Sequence, residues 1–277
     1  MTSPKTIRQL IQANKSSFTP SERKLVKLLT GAKPILALGT IHELANHAHV
    51  SAPTVLRFAV KLGYSGFPEF QKAWLNELEL KLSSPLTMIN QPHEDEAHTF
   101  SKGLGSMVED AIAELSAGFD LVKLLSDSRQ RVYVRGGRFS QTLAEYLYAH
   151  LKEMRGNTEI LGRIPAHDLD TIVDIGKKDI LIAFDYRRYQ EDTVRLARLA
   201  AEQGAQIVLF TDKWLSPISE LTNNVVISDI SSGSAYDSLV PAMAQLEYLS
   251  MLLLKELGET ASTRLKRLEV IRSYGRD

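Results

Sequence analysis

The chain has 277 residues, 44% hydrophobic and 24% charged, an ordinary balance for a soluble globular protein and enough length for two domains. It has no uninterrupted apolar run of about 18 residues and no signal-like N-terminal segment, so no membrane span and a cytoplasmic location are expected. Without cysteine it forms no disulfide and no thiolate metal site. Its net charge of zero conceals an asymmetry: residues 1–82 hold 11 basic and 5 acidic side chains, and the rest hold 22 basic and 28 acidic. A basic segment joined to an acidic one suggests that the first part meets a polyanion.

The first 82 residues read as helices only. A short one is predicted over 6–13. Thr19, Pro20 and Glu22 then give a cap, a first-turn proline and the third residue of a capping box, with Leu25, Leu28 and Leu29 as the apolar face. Thr40 and Glu43 form a second box, opening a helix through Leu44, Ala45 and Ala48. Ser51 is positioned to cap the next helix, which tolerates Pro53 in its first turn, carries Val55, Phe58 and Leu62 on one side and ends near Gly63. A further helix over 68–81 presents Phe70, Trp74, Leu75 and Leu78. Residues 83–97 lose periodicity, contain two prolines and an acidic cluster, and read as a linker.

Beyond the linker a long helix is predicted over about 100–125. From residue 131 the pattern changes to short β-rich runs, RVYVRG, DILIAFD, AQIVLFTD and NVVISDI, alternating with helical segments. Such alternation predicts an α/β domain, a parallel sheet covered by helices on both faces. Two more helices, 235–257 and 260–272, complete the chain.

The segment IHELANHAHVSAPTVLRFAVKLGY has the pattern of a helix-turn-helix. Two helices packed across a short turn need a small residue at the crossing, here Ala45, and apolar residues at fixed offsets, here Leu44, Ala48, Val50, Val55 and Phe58. The helix after Ser51 would then enter the major groove of double-stranded operator DNA. Ser51, Thr54 and Arg57 lie on its outward side. Thr54 suits a thymine methyl or a phosphate, Arg57 a guanine or a phosphate, and Lys61 the DNA backbone. His49 stands where the turn usually carries glycine, and histidine is one of the better-tolerated substitutes there. The alternative is a plain helical hairpin used for dimerisation. His42 and His47 are five apart, off the spacing that puts two ligands on one helical face, so no metal site is expected.

The run TIHELANHAHVSAPTVLRFAVKLGYSGFPEFQ, with its VS-x-x-TV-x-RF-x-x-KLG core, resembles the DNA-binding domain of the RpiR/MurR family of bacterial regulators. In that family the second half is a SIS (sugar isomerase) domain, and residues 128–258 look like one in strand order and spacing. The resemblance implies a helix-turn-helix domain over 1–82, a linker over 83–97 and an effector-binding and dimerisation domain over 98–277. It also implies a homodimer or tetramer, and an effector that is a small anionic metabolite such as a sugar phosphate or sugar acid. No cofactor is implied.

Ligands of an open parallel sheet sit beyond the C-terminal ends of the strands. Three loops qualify here. In the first, Gly136 and Gly137 let the backbone approach a ligand, and the N–H groups at the helix start favour an anion. Ser140 matches the serine of the SIS glycine-serine loop. Arg138 replaces that loop's second glycine, and either clasps the anion or stands as a solvated surface arginine. In the second, the serine-rich turn of SIS domains is replaced by Asp185-Tyr186-Arg187-Arg188-Tyr189-Gln190. Here Arg187 and Arg188 bind the anion by charge and Asp185 pairs with an arginine or the ligand, or the group forms an internal Asp–Arg network. The third follows strand AQIVLFTD from Thr211 and Asp212 to a helix start at Ser216-Pro217. An alternative reading, a sugar-phosphate isomerase with a helical appendage, would draw its base from Glu145, His150, Asp185 or Glu191.

Overall fold

The computed structural model describes residues 6–30, 39–82, 97–117, 120–162, 165–232, 234 and 236–274. These cluster into two units, one drawn mainly from residues before 92 and the other mainly from those after it. Most of the expected linker therefore lies outside the described residues.

The first unit is helical: α1 (Ile7–Ala13), α2 (Pro20–Thr30), α3 (Ile41–His47), α4 (Ala52–Lys61) and α5 (Phe67–Leu82). Reciprocal capping boxes open three of them. In α3 the Thr40 hydroxyl accepts from Glu43 N–H at 3.2 Å while the Glu43 carboxylate accepts from Thr40 N–H at 2.6 Å. Thr19 and Glu22 repeat this at α2, and Thr6 and Gln9 at α1. Each box satisfies two N–H groups that a helix start leaves open. The apolar faces converge on one core in which Phe58 packs between Phe18 and Phe70, at ring-centroid distances of 5.4 and 6.2 Å. Leu75, expected on the buried face of α5, is instead 40% exposed; Phe70, Trp74 and Leu78 carry that face.

The second unit opens with α6 (Ala97–Ala117) and α7 (Leu121–Ser126), where one helix was expected. Asp120 accounts for the division: its carboxylate accepts from Lys123 N–H at 2.9 Å and starts a new helix. The sheet follows, with β1 (Val132–Gly136), β2 (Thr158–Ile160), β3 (Ile180–Phe184), β4 (Gln206–Thr211) and β5 (Val225–Ile227). All strand pairs are parallel and the spatial order is β2-β1-β3-β4-β5. The four apolar runs form β1, β3, β4 and β5. The three-residue strand β2 was not anticipated, because TEI has a single apolar residue and so forms no apolar run.

Helices α8 (Gln141–Met154), α9 (Pro165–Ile172) and α10 (Glu191–Glu202) make the crossovers. Alternate residues divide the sheet's faces. Tyr133, Leu181, Ala183, Ile207 and Leu209 pack with α9 and α10, while α8 packs against α11 (Val240–Ser273), which also lies along α6 and α7. Buried Gln245 fixes α11, donating to the carbonyls of Ala111 at 2.8 Å and Ile227 at 2.9 Å. The two expected C-terminal helices form this single element, broken at Gly258, whose φ of 48° and ψ of −119° are non-helical. The sheet order reverses direction between β1 and β3, so the loops after those two strands flank the crevice where such folds bind ligands.

Candidate functional site

In the first unit the functional candidate is α3, its turn and α4. The turn closes as a Schellman motif: Val50 N–H donates to Ala45 O at 2.9 Å and His49 N–H to Asn46 O at 3.1 Å. His49 occupies the left-handed position with φ 52°, the place where glycine is customary. The same motif ends α4 at Gly63, through Tyr64 N–H to Ala59 O and Gly63 N–H to Val60 O. Ala45 is buried among Leu44, Ala48, Val55 and Phe58. A larger side chain there has no room, and Ala45→Leu is expected to cost about 1–3 kcal/mol through overpacking. Calorimetry of the variant would show the first unit's transition lowered; an unchanged transition would mean that the crossing is loose.

On the opposite side of α4, Ser51 and Arg57 are exposed and Thr54 half-buried. Ser51 is the N-cap, but its hydroxyl meets the Thr54 hydroxyl at 2.9 Å and makes no bond to a helix N–H. Arg57 has no ion-pair partner among the described residues and presents its guanidinium outward. Lys61, expected at the DNA backbone, is already engaged: its ammonium lies 2.7 Å from Glu22 and 3.1 Å from Ser17 O. Burial raises the Glu22 pKa, but the bonds from Lys61 and Thr19 outweigh it and hold the carboxyl below its ordinary range. Lys61 thus ties α4 to α2, an arrangement not readable from residues 39 positions apart.

In the second unit the loop after β1 is closed on itself. Gly136 N–H donates to Gln141 Oε1 at 2.9 Å, Gly137 N–H to Ser140 Oγ at 2.8 Å and Arg138 N–H to Gln190 Oε1. These loop N–H groups are used within the protein, and so are those at the helix start expected to favour an anion, where Gln141 N–H donates to Gly137 O at 2.8 Å and Leu143 N–H to Ser140 O at 3.0 Å. Ser140, expected to donate to a ligand, donates to Phe184 O at 2.7 Å and fastens the β1 loop to the end of β3. The glycines are required by close approach, since a Cβ at Gly136 would lie 2.4 Å from Gln141 N. Arg138 is exposed, its guanidinium 5.4 Å from the ring centroid of exposed Phe139.

The loop after β3 is held by Asp212 of the third candidate loop, for which no role was singled out from the sequence. Its buried carboxylate accepts from Arg187 N–H and from the Tyr189 hydroxyl at 2.7 Å. Asp185 is buried too, and accepts from Gln190 N–H at 3.3 Å. Burial pushes the Tyr186 phenol above its ordinary range, beside the Ser228 hydroxyl at 3.4 Å. Arg188 has a left-handed backbone, φ 71°. A non-glycine residue persists in that conformation only where its surroundings impose it.

Arg187 and Arg188 converge, but on Asp237. Arg187 forms a two-pronged bridge through Nε at 3.2 Å and through Nη2, and Arg188 Nη2 lies 3.7 Å from the same carboxylate. Of the seven expected ligand residues, Arg187 and Arg188 meet at one carboxylate, Ser140 ties the loop of Gly136 and Gly137 to the end of β3, Asp185 is buried within its own loop, and Arg138 lies by Phe139. A second group was also missed. Arg135 of β1 is buried, 3.0 Å from Asp168 and 2.7 Å from Asp192, at a cleft of about 410 Å³ that Glu191, Arg195 and Leu196 also line. A charged residue inside the apolar run RVYVRG was the available signal.

The family model described as a helix-turn-helix domain of the rpiR family matches residues 5–81, and the SIS domain model matches residues 124–255. An uncharacterized HTH-type transcriptional regulator of Haemophilus influenzae is 24% identical over 268 residues, covering 92% of each chain. One from Clostridium perfringens is 24% identical over 284 residues, covering 96% of this chain and 98% of its own. Among solved structures, the Vibrio vulnificus NanR protein complexed with ManNAc-6P aligns with a TM-score of 0.54 at 18% identity, over 96% of this chain and 98% of that one. That likeness is one of fold.

Proposed function

Because the chain belongs to the rpiR family of helix-turn-helix transcription regulators, with a SIS domain as its second half, we propose that it binds operator DNA through α4 in bacterial cytoplasm and releases or engages it in response to a small anionic metabolite. The observation that carries this reading is the pair of arginines at the switch-point loop. In place of the hydroxyls of the serine-rich turn, Arg187 and Arg188 offer two guanidinium groups to one oxyanion, the geometry that fits carboxylate and phosphate. A phosphorylated sugar or a sugar acid is the effector class such a site selects. The basic first 82 residues supply the electrostatic attraction to DNA. Double-stranded DNA is read by two copies of α4, so the working form is a homodimer or a pair of dimers. Exposed Met251, Leu254, Val270 and Ile271 on α11 give a second copy apolar surface to cover.

The test combines selection from a random double-stranded DNA pool with a thermal-shift panel of sugar phosphates and sugar acids, both on the full chain. The expected DNA is an inverted repeat with half-sites about one helical turn apart. The expected effector, at about 100 times its Kd, adds about 2.7 kcal/mol of stability. It should also change the affinity for the selected DNA by about 5- to 150-fold. Recovery of no common sequence would sink the DNA-binding half of the reading, and a selected DNA indifferent to every stabilising anion would sink the effector half.

A further inference from the structure

We propose that Asp237 is an internal stand-in for the effector's anionic group: its carboxylate occupies the Arg187–Arg188 site until an oxyanion displaces it. The proposal rests on the anionic-effector reading above and adds how that site is regulated.

The loop that carries the receiving arginines is held independently of Asp237. Arg187 N–H and the Tyr189 hydroxyl both donate to Asp212, and the hydroxyl of Thr211, next to Asp212, donates to Asp185 O at 2.7 Å. Loss of Asp237 therefore leaves the backbone that carries the two arginines in place. Asp237 is held more locally. Neighbouring Ser238 N–H donates to Ile230 O at 2.9 Å, and Tyr236 N–H to Ser234 Oγ at 3.2 Å, both within the same stretch of chain. The Tyr236 side chain is exposed.

Charge favours exchange by an anion carrying more than one negative charge. Both guanidinium groups meet at the one Asp237 carboxylate, and an anion with more than one negative charge matches the pair more closely. Arg188 is the more exposed of the two, at 43% against 5% for Arg187, and gives an incoming anion its first contact. Displacement also has a path outward. Asp237 lies three residues before Val240, the first residue of α11, and α11 packs along α6, α7 and α8. An anion that takes the arginines thus acts on the element with the widest contacts in this unit.

The experiment titrates sodium phosphate and sodium gluconate separately, at fixed ionic strength, into the full-length wild type, Asp237→Asn and the double variant Asp237→Asn with Arg187→Gln. Calorimetry gives the dissociation constants. An internal competitor reduces apparent affinity by the fraction of time it holds the site, so Asp237→Asn is expected to bind at least one of these anions about tenfold more tightly than wild type. The double variant should lose that gain. The anion that gains identifies whether a phosphate or a carboxylate is preferred. Equal affinity in wild type and Asp237→Asn overturns the stand-in while leaving the anionic-effector reading intact. Binding of neither anion by any of the three proteins overturns both. A wild-type measurement covers the case in which the variants fold poorly: amide exchange at 236–239 is expected to quicken when the better anion is added. Slower or unchanged exchange there counts against displacement.

Discussion

Arg155→Ala is expected to destabilise the SIS unit by about 3–5 kcal/mol. Arg155 follows α8 and is 1% exposed, among the largest fully buried side chains. Its guanidinium donates to Leu125 O at 2.8 Å, to Asp127 O at 3.0 Å and to Gln130 O, gathering the end of α7 and the turn that leads into β1. Burial depresses its pKa to about 10, with Asp127 pulling the other way, so the group remains a cation at neutral pH. A buried cation is tolerated here because three carbonyls replace water. Truncation removes charge-assisted bonds, leaves carbonyls without a donor and opens a cavity, and these effects add. At about 2–4 °C per kcal/mol for a unit of this size, the transition of the second unit should fall by roughly 10 °C, while that of the first stays put. Arg155→Met separates the causes: it refills the volume without donating, so it should recover only the cavity part. Full recovery by methionine would show that the carbonyls find water and that the bonds matter little.

The residues that defined helix starts were legible because their partners lie three positions away. Thr19 with Glu22, and Thr40 with Glu43, are complete local devices, and both close as the spacing implies. The turn at His49 was legible for the same reason, its bonds spanning at most five residues. Four strands announced themselves as apolar runs; β2 has only three residues and takes its place by pairing with β1. The chemistry of the effector loops was harder. Glycines and a serine after a strand suggest open N–H groups and a free hydroxyl, yet Gln141, Gln190 and Phe184 O consume them. Those partners stand up to 52 residues from the groups they satisfy. Asp237 lies 50 residues from Arg187 and Glu22 lies 39 from Lys61, so neither bridge has a local trace. Composition revealed that the loop after β3 had exchanged hydroxyls for charge. Only the fold reveals that the charge is already partly spent.

The second large effect is expected at Arg57. Arg57→Ala should weaken binding to the selected DNA by about 1–3 kcal/mol per half-site, and so by up to about twice that for a dimer engaging two. Val55, Phe58 and Ala59 bury one face of α4, which leaves Arg57 on the other with Ser51 and Thr54. Lys61 is committed to Glu22, so Arg57 carries most of the cationic reach of α4. Its low burial means that alanine costs the fold almost nothing, and a binding defect cannot be ascribed to unfolding. Arg57→Lys then distinguishes two modes of contact. A phosphate contact survives as a point charge, keeping the salt dependence and most of the affinity. A bidentate contact to guanine needs the planar fork, so lysine would relax sequence preference at one base position in each half-site. Salt titrations separate the same two modes: loss of a phosphate contact lowers the slope of log K against log salt by about one per half-site, whereas loss of a base contact leaves the slope nearly unchanged. If Arg57→Ala binds the selected DNA as tightly as wild type at every salt concentration, α4 is not the reading helix. The exposed face of the first unit would then have to be assigned to a contact between proteins.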